Sequence, residues 1–349
     1  MTGDREHARD RTPASEGDHV RTHDHDRDDD RDRTMRAVLY DRYGSPDVLY
    51  LSRVPRPEPG PGEILVKVRA FSVNGGETAA RSGRLRALTG RRFPKRVGMD
   101  FSGEVAALGP GVARFTVGDL VWGVTGRTAF GSAAEYVAVP AERAGLLPEG
   151  VDPVRAASLP AATAAVVALR DKAGLRPGDR LLVRGAAGGV GHAVVQLGRA
   201  WGAEVTGLAR AANLDFVREL GAHRAVDHRG VRPEELGRFD VVVDTVGSDL
   251  GAYRRLLRPG GRMVTIAFDL GRPVASLGGI ALSAVHGRRR IRFFSGNPHR
   301  AEFDDLARLV SEGSLRPAVD RVFPLEETAD AHRALEAGGV RGKYVVRVA

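Results

Sequence analysis

The chain has 349 residues, 42% of them hydrophobic and 28% charged, with a formal charge of +9 and no cysteine. That length suits about two domains with a sizeable core. The missing thiols exclude disulfides, thiolate zinc sites, iron–sulfur clusters and a cysteine nucleophile, and no apolar run reaches the ~18 residues of a membrane span.

Residues 1–34 read as a disordered charged tail. From Asp18 to Arg33 almost every residue is Asp, Arg or His, so the segment has no apolar surface to bury. His23-Asp24-His25-Asp26 could hold a metal only weakly, and the reading here is a solvated tail with no metal site. Its seven Arg against eleven Asp and Glu leave +13 for the rest of the chain. That charge is nearly all arginine, since only Lys67, Lys95, Lys172 and Lys343 are lysines. The arginines are scattered and come with no nucleic-acid motif, which predicts neither a nucleic-acid nor a membrane partner. The densest group, Arg288-Arg289-Arg290 with Arg292, reads as a solvated loop. A polar N-terminus without an apolar signal core predicts a cytoplasmic protein.

From Met35 onward the chain is strand-rich. Ile64-Leu65-Val66-Lys67-Val68-Arg69-Ala70 alternates apolar and polar residues, as a half-buried strand does. Further strands are predicted at 37–40, 104–108, 120–124 and 134–139. Gly and Pro clusters separate them, as a small antiparallel barrel requires. An alanine-rich helix is predicted at 156–168. Strands and helices then alternate: strand 180–184, helix 190–201, strand 204–209, helix 213–220, strands 225–227 and 240–245, helix 253–257, strand 262–267. Continuous apolar runs such as Val241-Val242-Val243 suit a parallel sheet covered on both faces, and the alternation predicts a doubly wound α/β fold. Leu270 to Gly287 reads as a loop, a mobile rim over a pocket. Helices at 302–312 and 326–337 and a strand at 343–348 complete the pattern.

The most informative segment runs from Arg180-Leu181-Leu182-Val183-Arg184 into Gly185-Ala186-Ala187-Gly188-Gly189-Val190-Gly191. A strand leads through a glycine-rich turn into a helix with apolar residues at Val190, Val194, Leu197 and Trp201. Glycines let backbone N–H groups approach a pyrophosphate, and the helix N-terminus favours the anion. The next strand ends without the Asp or Glu that would bond a ribose 2′-hydroxyl, and Ala209-Arg210 follows. A guanidinium there suits a 2′-phosphate, which predicts NADP(H) rather than NAD.

Gly178-Asp179, Leu182, Ala186-Ala187-Gly188-Gly189, Gly191, Gln196 and Arg199 fall at the spacing of the quinone oxidoreductase signature. Tyr43-Gly44-Ser45-Pro46, Gly98-Met99-Asp100-Phe101-Ser102-Gly103, Val117-Gly118-Asp119, Asp244-Thr245-Val246-Gly247 and Arg341-Gly342-Lys343 follow in register. The chain resembles the medium-chain dehydrogenase/reductase superfamily, in its zinc-independent quinone oxidoreductase (zeta-crystallin-like) branch, over residues 35–349. The resemblance implies an α/β protein with a GroES-like antiparallel β-barrel domain at 35–156, completed by 300–349, and a doubly wound Rossmann domain at 157–299. It implies NADP(H) contacts from Ala187, Gly188, Gly189 and Val190, from Val246-Gly247, and from Ala267-Phe268. Asn297 and Lys343 are placed beside the cofactor, and Thr163 near the nicotinamide. Asn74, from a Ser72-Val73-Asn74 segment, is expected to line the cleft as the catalytic residue, and Glu77 to brace its loop. Ala79 stands where many relatives have a Tyr. Met99 replaces the His of the zinc enzymes, so no metal is expected.

These readings converge on an NADPH-dependent reductase of quinones or α,β-unsaturated carbonyls. Alternatives are an enoyl reductase of thioester or polyketide-like intermediates and a weakly catalytic NADPH sensor. The small-molecule substrate would meet hydride at carbon and hydrogen bonds at oxygen. A strand at 290–295 resembles the family's dimer edge, so a homodimer is expected.

Overall fold

The computed structural model describes residues 33–126 and 129–348; most of the charged tail, with its His-Asp pairs, lies outside them. Three sheets organise the described residues. A small antiparallel sheet joins β1 (Thr34–Tyr40) to β2 (Tyr50–Pro55) and β4 (Lys95–Arg96). The barrel sheet contains β3 (Glu63–Ser72), β5 (Asp100–Leu108), β6 (Leu120–Val124), β7 (Tyr136–Pro140) and β8 (Ala144–Leu146). Two strands from far along the chain, β15 (Val319–Pro324) and β16 (Lys343–Arg347), extend it to the order β15-β16-β3-β5-β6-β8, with β7 on β3. All its pairings are antiparallel except β15 with β16.

The third sheet is fully parallel. It comprises β9 (Arg180–Arg184), β10 (Glu204–Ala209), β11 (Arg224–Asp227), β12 (Phe239–Asp244), β13 (Leu257–Thr265) and β14 (Ile291–Phe293), in the order β11-β10-β9-β12-β13-β14. This is the doubly wound architecture, and alternate residues of one strand enter different cores. Leu181 and Val183 of β9, with Val241 and Val243 of β12, belong to the core under the helices Gly191–Ala200 and Arg300–Ser311. Leu182 and Val242 point to the opposite face, among Leu208, Phe239, Leu257, Met263 and Ile291. Burial on both faces explains the unbroken apolar runs.

Several predicted elements differ from those observed. The alanine-rich helix is interrupted, because Pro160 opens a new turn over Pro160–Ala162 that continues as Thr163–Val166 and a wider-wound segment to Ala173. Residues expected as loop contain the helix Pro273–Leu282. Its Gly278 and Gly279 masked the signal, while Pro273 at its first position supplied a start. The helix expected at 253–257 lies earlier, over Leu250–Arg254, and Leu257 already belongs to β13.

A buried polar cluster lies where the helix Thr328–Ala337 packs on the helix Gly75–Arg81. The fully buried Arg81 pairs with Glu336 and donates to Gly44 O. Beside it His332 is fully buried, and neither ring nitrogen has a hydrogen-bond partner. Burial, then the Arg81 charge, pushes its pKa down to about 3. The unfolded chain therefore binds a proton that the native state refuses below the ordinary histidine pKa of about 6.5. Stability from this site is complete above that value and declines as pH falls toward 3. The expected cost is about 2 kcal/mol between pH 7.5 and 5. Thermal melts of the His332→Leu variant should show a flatter fall over that interval than the wild type; an unchanged slope would refute the assignment.

Candidate active site

Strand β9 ends at the turn on which the site is built. Gly191, first residue of the following helix, is pressed against that turn, and a Cβ there would lie 2.0 Å from Gly185 O. Among the described residues, the N–H groups of Ala187, Gly189 and Val190 meet no acceptor. Cleft-lining N–H groups left without partners at a helix entrance are what a pyrophosphate needs. A nicotinamide dinucleotide therefore fits the residues present.

The turn opens on a cleft of about 1250 Å³ between the parallel sheet and the barrel. That exceeds a usual small-ligand pocket and leaves room for a dinucleotide and a second molecule. Asn74, Ala187, Gly188, Gly189, Val190, Arg210, Val246, Ala267, Phe268 and Lys343 all line it. Gly247 stands just behind, lining an adjoining groove. Its φ is +89° and a Cβ would meet the Phe268 backbone at 2.7 Å, so glycine lets the two loops close on each other. Two expected residues are elsewhere. Thr163 is buried under the sheet, its hydroxyl donating to Pro160 O at 2.7 Å. The Asn297 amide is held by Arg143 and His299, away from the lining.

At one end of the cleft β16 pairs antiparallel with β3, Val345 opposite Ser72. This register sets Lys343 beside Asn74. Lys343 Nζ donates to Asn74 Oδ1 at 2.5 Å and to Val73 O at 3.3 Å, and lies 3.5 Å from Asp100 Oδ2. Both partners of that ion pair are almost fully buried, at 3% and 2% exposure. Asn74 Nδ2 donates to Ser72 O and Asp100 Oδ2, at 3.0 and 2.9 Å. Asp100 also accepts from the Ser72 N–H and hydroxyl. Asn74 thus faces the cleft with both amide protons already committed to Ser72 and Asp100.

Glu77 does brace the loop, accepting from the N–H groups of Asn74 and Gly98 at 2.7 and 2.6 Å. Its full burial, reinforced by the charge of Asp100, pushes the carboxyl up to about 8 against those two donors. Facing walls are apolar: Ala79, Leu85 and Met99 on the barrel side, Phe268, Leu270 and Phe293 on the other. Phe268 and Phe293 meet edge to face at 5.6 Å.

At the opposite end Arg210 lines the cleft, and among the described residues no carboxylate pairs with it. Its guanidinium lies against Gly338 and Gly339, where a Cβ on Gly338 would approach it to 2.6 Å. His228 stands beside it, Nδ1 on Ala209 O at 2.8 Å.

Sequence reasoning missed the arginine that ends β9. Arg184 donates to Asp244 Oδ1 at 2.5 Å and to Ser248 O at 2.6 Å, and lies 3.7 Å above the Tyr253 ring. Asp244 also accepts from Gly247 N–H and from the Thr265 hydroxyl. Burial pushes the Asp244 carboxyl up, and Arg184 opposes the shift. This network fixes the Val246-Gly247 loop. The available signal was a charged residue at the point where the strand enters the glycine turn.

A dinucleotide turn facing a barrel cleft defines a nicotinamide-dependent oxidoreductase. Comparisons with known proteins agree. Residues 60–149 match the alcohol dehydrogenase GroES-like domain, and residues 220–346 match the zinc-binding dehydrogenase family. The chain is 31% identical to the human mitochondrial NAD(P)H oxidoreductase RTN4IP1, over 90% of this chain and 89% of that protein. It is 31% identical to 2-methylene-furan-3-one reductase of Solanum lycopersicum, over 89% and 79%. The structure of the quinone oxidoreductase from Coxiella burnetii superposes with a TM-score of 0.81 at 32% identity, over 90% of this chain and all of that one. The chain belongs to the medium-chain dehydrogenase/reductase superfamily, in its quinone oxidoreductase-like branch.

Replacing Gly191 by Ala places a Cβ 2.0 Å from Gly185 O, so the turn has to shift. Calorimetric titration of Gly191→Ala should show nicotinamide nucleotide affinity lowered by at least about tenfold, the scale of one lost charge-assisted hydrogen bond. Unchanged binding would place the pyrophosphate elsewhere.

Proposed function

We propose that the protein is an NADPH-dependent reductase of quinones or α,β-unsaturated carbonyls that works without a metal. The observation that carries the coenzyme reading is Arg210, a cleft-lining guanidinium with no carboxylate partner, at the end of a strand that lacks the ribose-binding acid. A 2′-phosphate there would gain a charge-assisted, two-pronged contact. His228 adds a second ring nitrogen to the same corner.

When bound, the reduced nicotinamide supplies hydride. The chain supplies position and electrostatics. The amides of Ala187, Gly189 and Val190 hold the diphosphate, and Lys343 crosses above Gly189, whose absent Cβ would otherwise lie 2.8 Å from Lys343 Cδ. The apolar walls favour a flat, weakly polar acceptor and exclude water from it. Gly75 and Gly76 open a helix and line the cleft, so their N–H groups have no intrahelical acceptor. These amides, rather than the Asn74 side chain, are the donors offered to an oxyanion forming on the acceptor. A solvent proton completes the reduction, at the α-carbon of an enone or at the oxygen of a quinone.

Chemistry of the donor set supports a metal-free route. The sequence holds no cysteine, Met99 lines the cleft where a zinc enzyme carries His, and Asp100 is committed to Ser72, Asn74 and Lys343. The reading extends to a cytoplasmic homodimer. Strand β14 pairs only with β13 among the described strands, which leaves its outer edge for a second copy.

Turnover with NADPH should be seen across a panel of quinones, enones and enoyl thioesters, with the thioesters slower. Preference for a thioester would move the assignment to carrier-bound substrates, and tight NADPH binding without turnover of any acceptor would favour a sensor. Arg210→Glu should lower kcat/KM for NADPH roughly ten- to hundredfold and raise that for NADH. An unchanged coenzyme ratio would remove Arg210 from the proposal.

A further inference from the structure

The segment from Gly338 to Lys343 runs along the cleft, and nearly every residue of it is tied to the dinucleotide-binding side. Gly338 and Gly339 lie against the Arg210 guanidinium. Gly339 O and Val340 O accept from Asn213 Nδ2 at 3.0 and 3.5 Å. Arg341 Nε donates back to Asn213 Oδ1 at 3.2 Å, and its Nη2 to Ala212 O at 3.0 Å. Gly342 N–H donates to Ala187 O, in the glycine turn itself, at 2.7 Å. Lys343 then reaches across to Asn74.

Asn213 is the hub of this strap. It is 5% exposed and sits three residues after Arg210, on the turn Ala211–Asn213. Among the described residues its side chain gives and receives hydrogen bonds on the strap alone, and its own N–H donates to Arg210 O at 2.9 Å. It therefore joins the backbone of the phosphate-reading arginine to the segment that carries Lys343.

We propose that Asn213 is a positioning residue that couples capture of the coenzyme 2′-phosphate by Arg210 to the seating of Lys343 over the glycine turn. The proposal rests on the NADPH reading of Arg210. A guanidinium drawn onto a phosphate changes its packing on Gly338 and Gly339. The strap cannot follow independently, because the bonds of Asn213 to Gly339, Val340 and Arg341 and the Gly342-to-Ala187 hydrogen bond fix it at four points. Coenzyme preference should then be expressed in turnover as well as in affinity, since the ammonium at the far end is placed by the same strap.

The test is a double-mutant cycle on coenzyme preference. Steady-state kcat and KM are measured with NADPH and NADH for the wild type, Asn213→Ala, Arg210→Ala and the double variant. Asn213→Ala should lower kcat with NADPH about three- to tenfold more than kcat with NADH. In the Arg210→Ala background the same substitution should leave the ratio of the two kcat values unchanged. Asn213→Gln, which keeps both the donor and the acceptor, should recover part of the NADPH kcat. If Asn213→Ala lowers both coenzymes equally, or its effect is additive with that of Arg210→Ala, its role is structural and the proposal fails. A wild type that prefers NADH would overturn the coenzyme reading itself, and the proposal with it. Should Asn213→Ala not fold, Arg341→Met removes the reciprocal bond and carries the same expectation.

Discussion

The pairing of β16 with β3 is the constraint on which the site depends. Val345 opposite Ser72 joins two strands more than 270 residues apart and closes the barrel sheet around β3. Because Lys343 starts β16 and Asn74 follows β3, this one register decides that an ammonium and a carboxamide meet at the cleft. A one-residue slip would turn Lys343 to the other face of the sheet and leave Asp100 buried without a cation. The Lys343 N–H on Ala318 O and the Gly342 N–H on Ala187 O hold the register from both flanks.

Charge is distributed economically around that junction. Asp100 is buried with four donors or cations in reach, namely the Ser72 amide and hydroxyl, the Asn74 amide and Lys343. A buried carboxylate needs such company, since an unpaired one costs several kcal/mol. A second buried acid beside it, Glu77, meets the difficulty differently, by holding its proton toward neutral pH. Another buried pair, Arg184 with Asp244, is engaged in shaping the Val246-Gly247 loop. The cleft interior thus presents few uncommitted charges, which suits a reaction whose charge develops on an uncharged acceptor.

The glycine turn, its strand and its helix were legible in the sequence because each is local. Apolar runs identify two-sided burial, and Gly185 to Gly191 stand in contiguous order. What escaped notice depends on long separations. Arg184 and Asp244 meet across 60 positions, and Asn213 and Arg341 across 128. No periodicity encodes such encounters. Thr163 was misplaced for a related reason: its hydroxyl is satisfied three residues back, at Pro160, and nothing local reveals which way that helix faces. Asn297 has the right residue type, but Arg143 takes its carbonyl oxygen from 154 positions away. Asn74 lines the cleft, but its donors could be seen as spent only once Asp100 and Lys343 were brought around it.

The late position of β16 also orders events during biosynthesis. Strands β3 to β8 emerge from the ribosome with one seam of the barrel sheet unpaired, and the parallel sheet follows while the cleft lacks a wall. Only when residue 343 has cleared the exit tunnel can the seam close and the coenzyme find its complete set of contacts. Until then the end of β3 from Ala70 to Ser72 lacks its β16 partner, and the two halves meet through the core that Trp122 shares with Phe303 and Leu306.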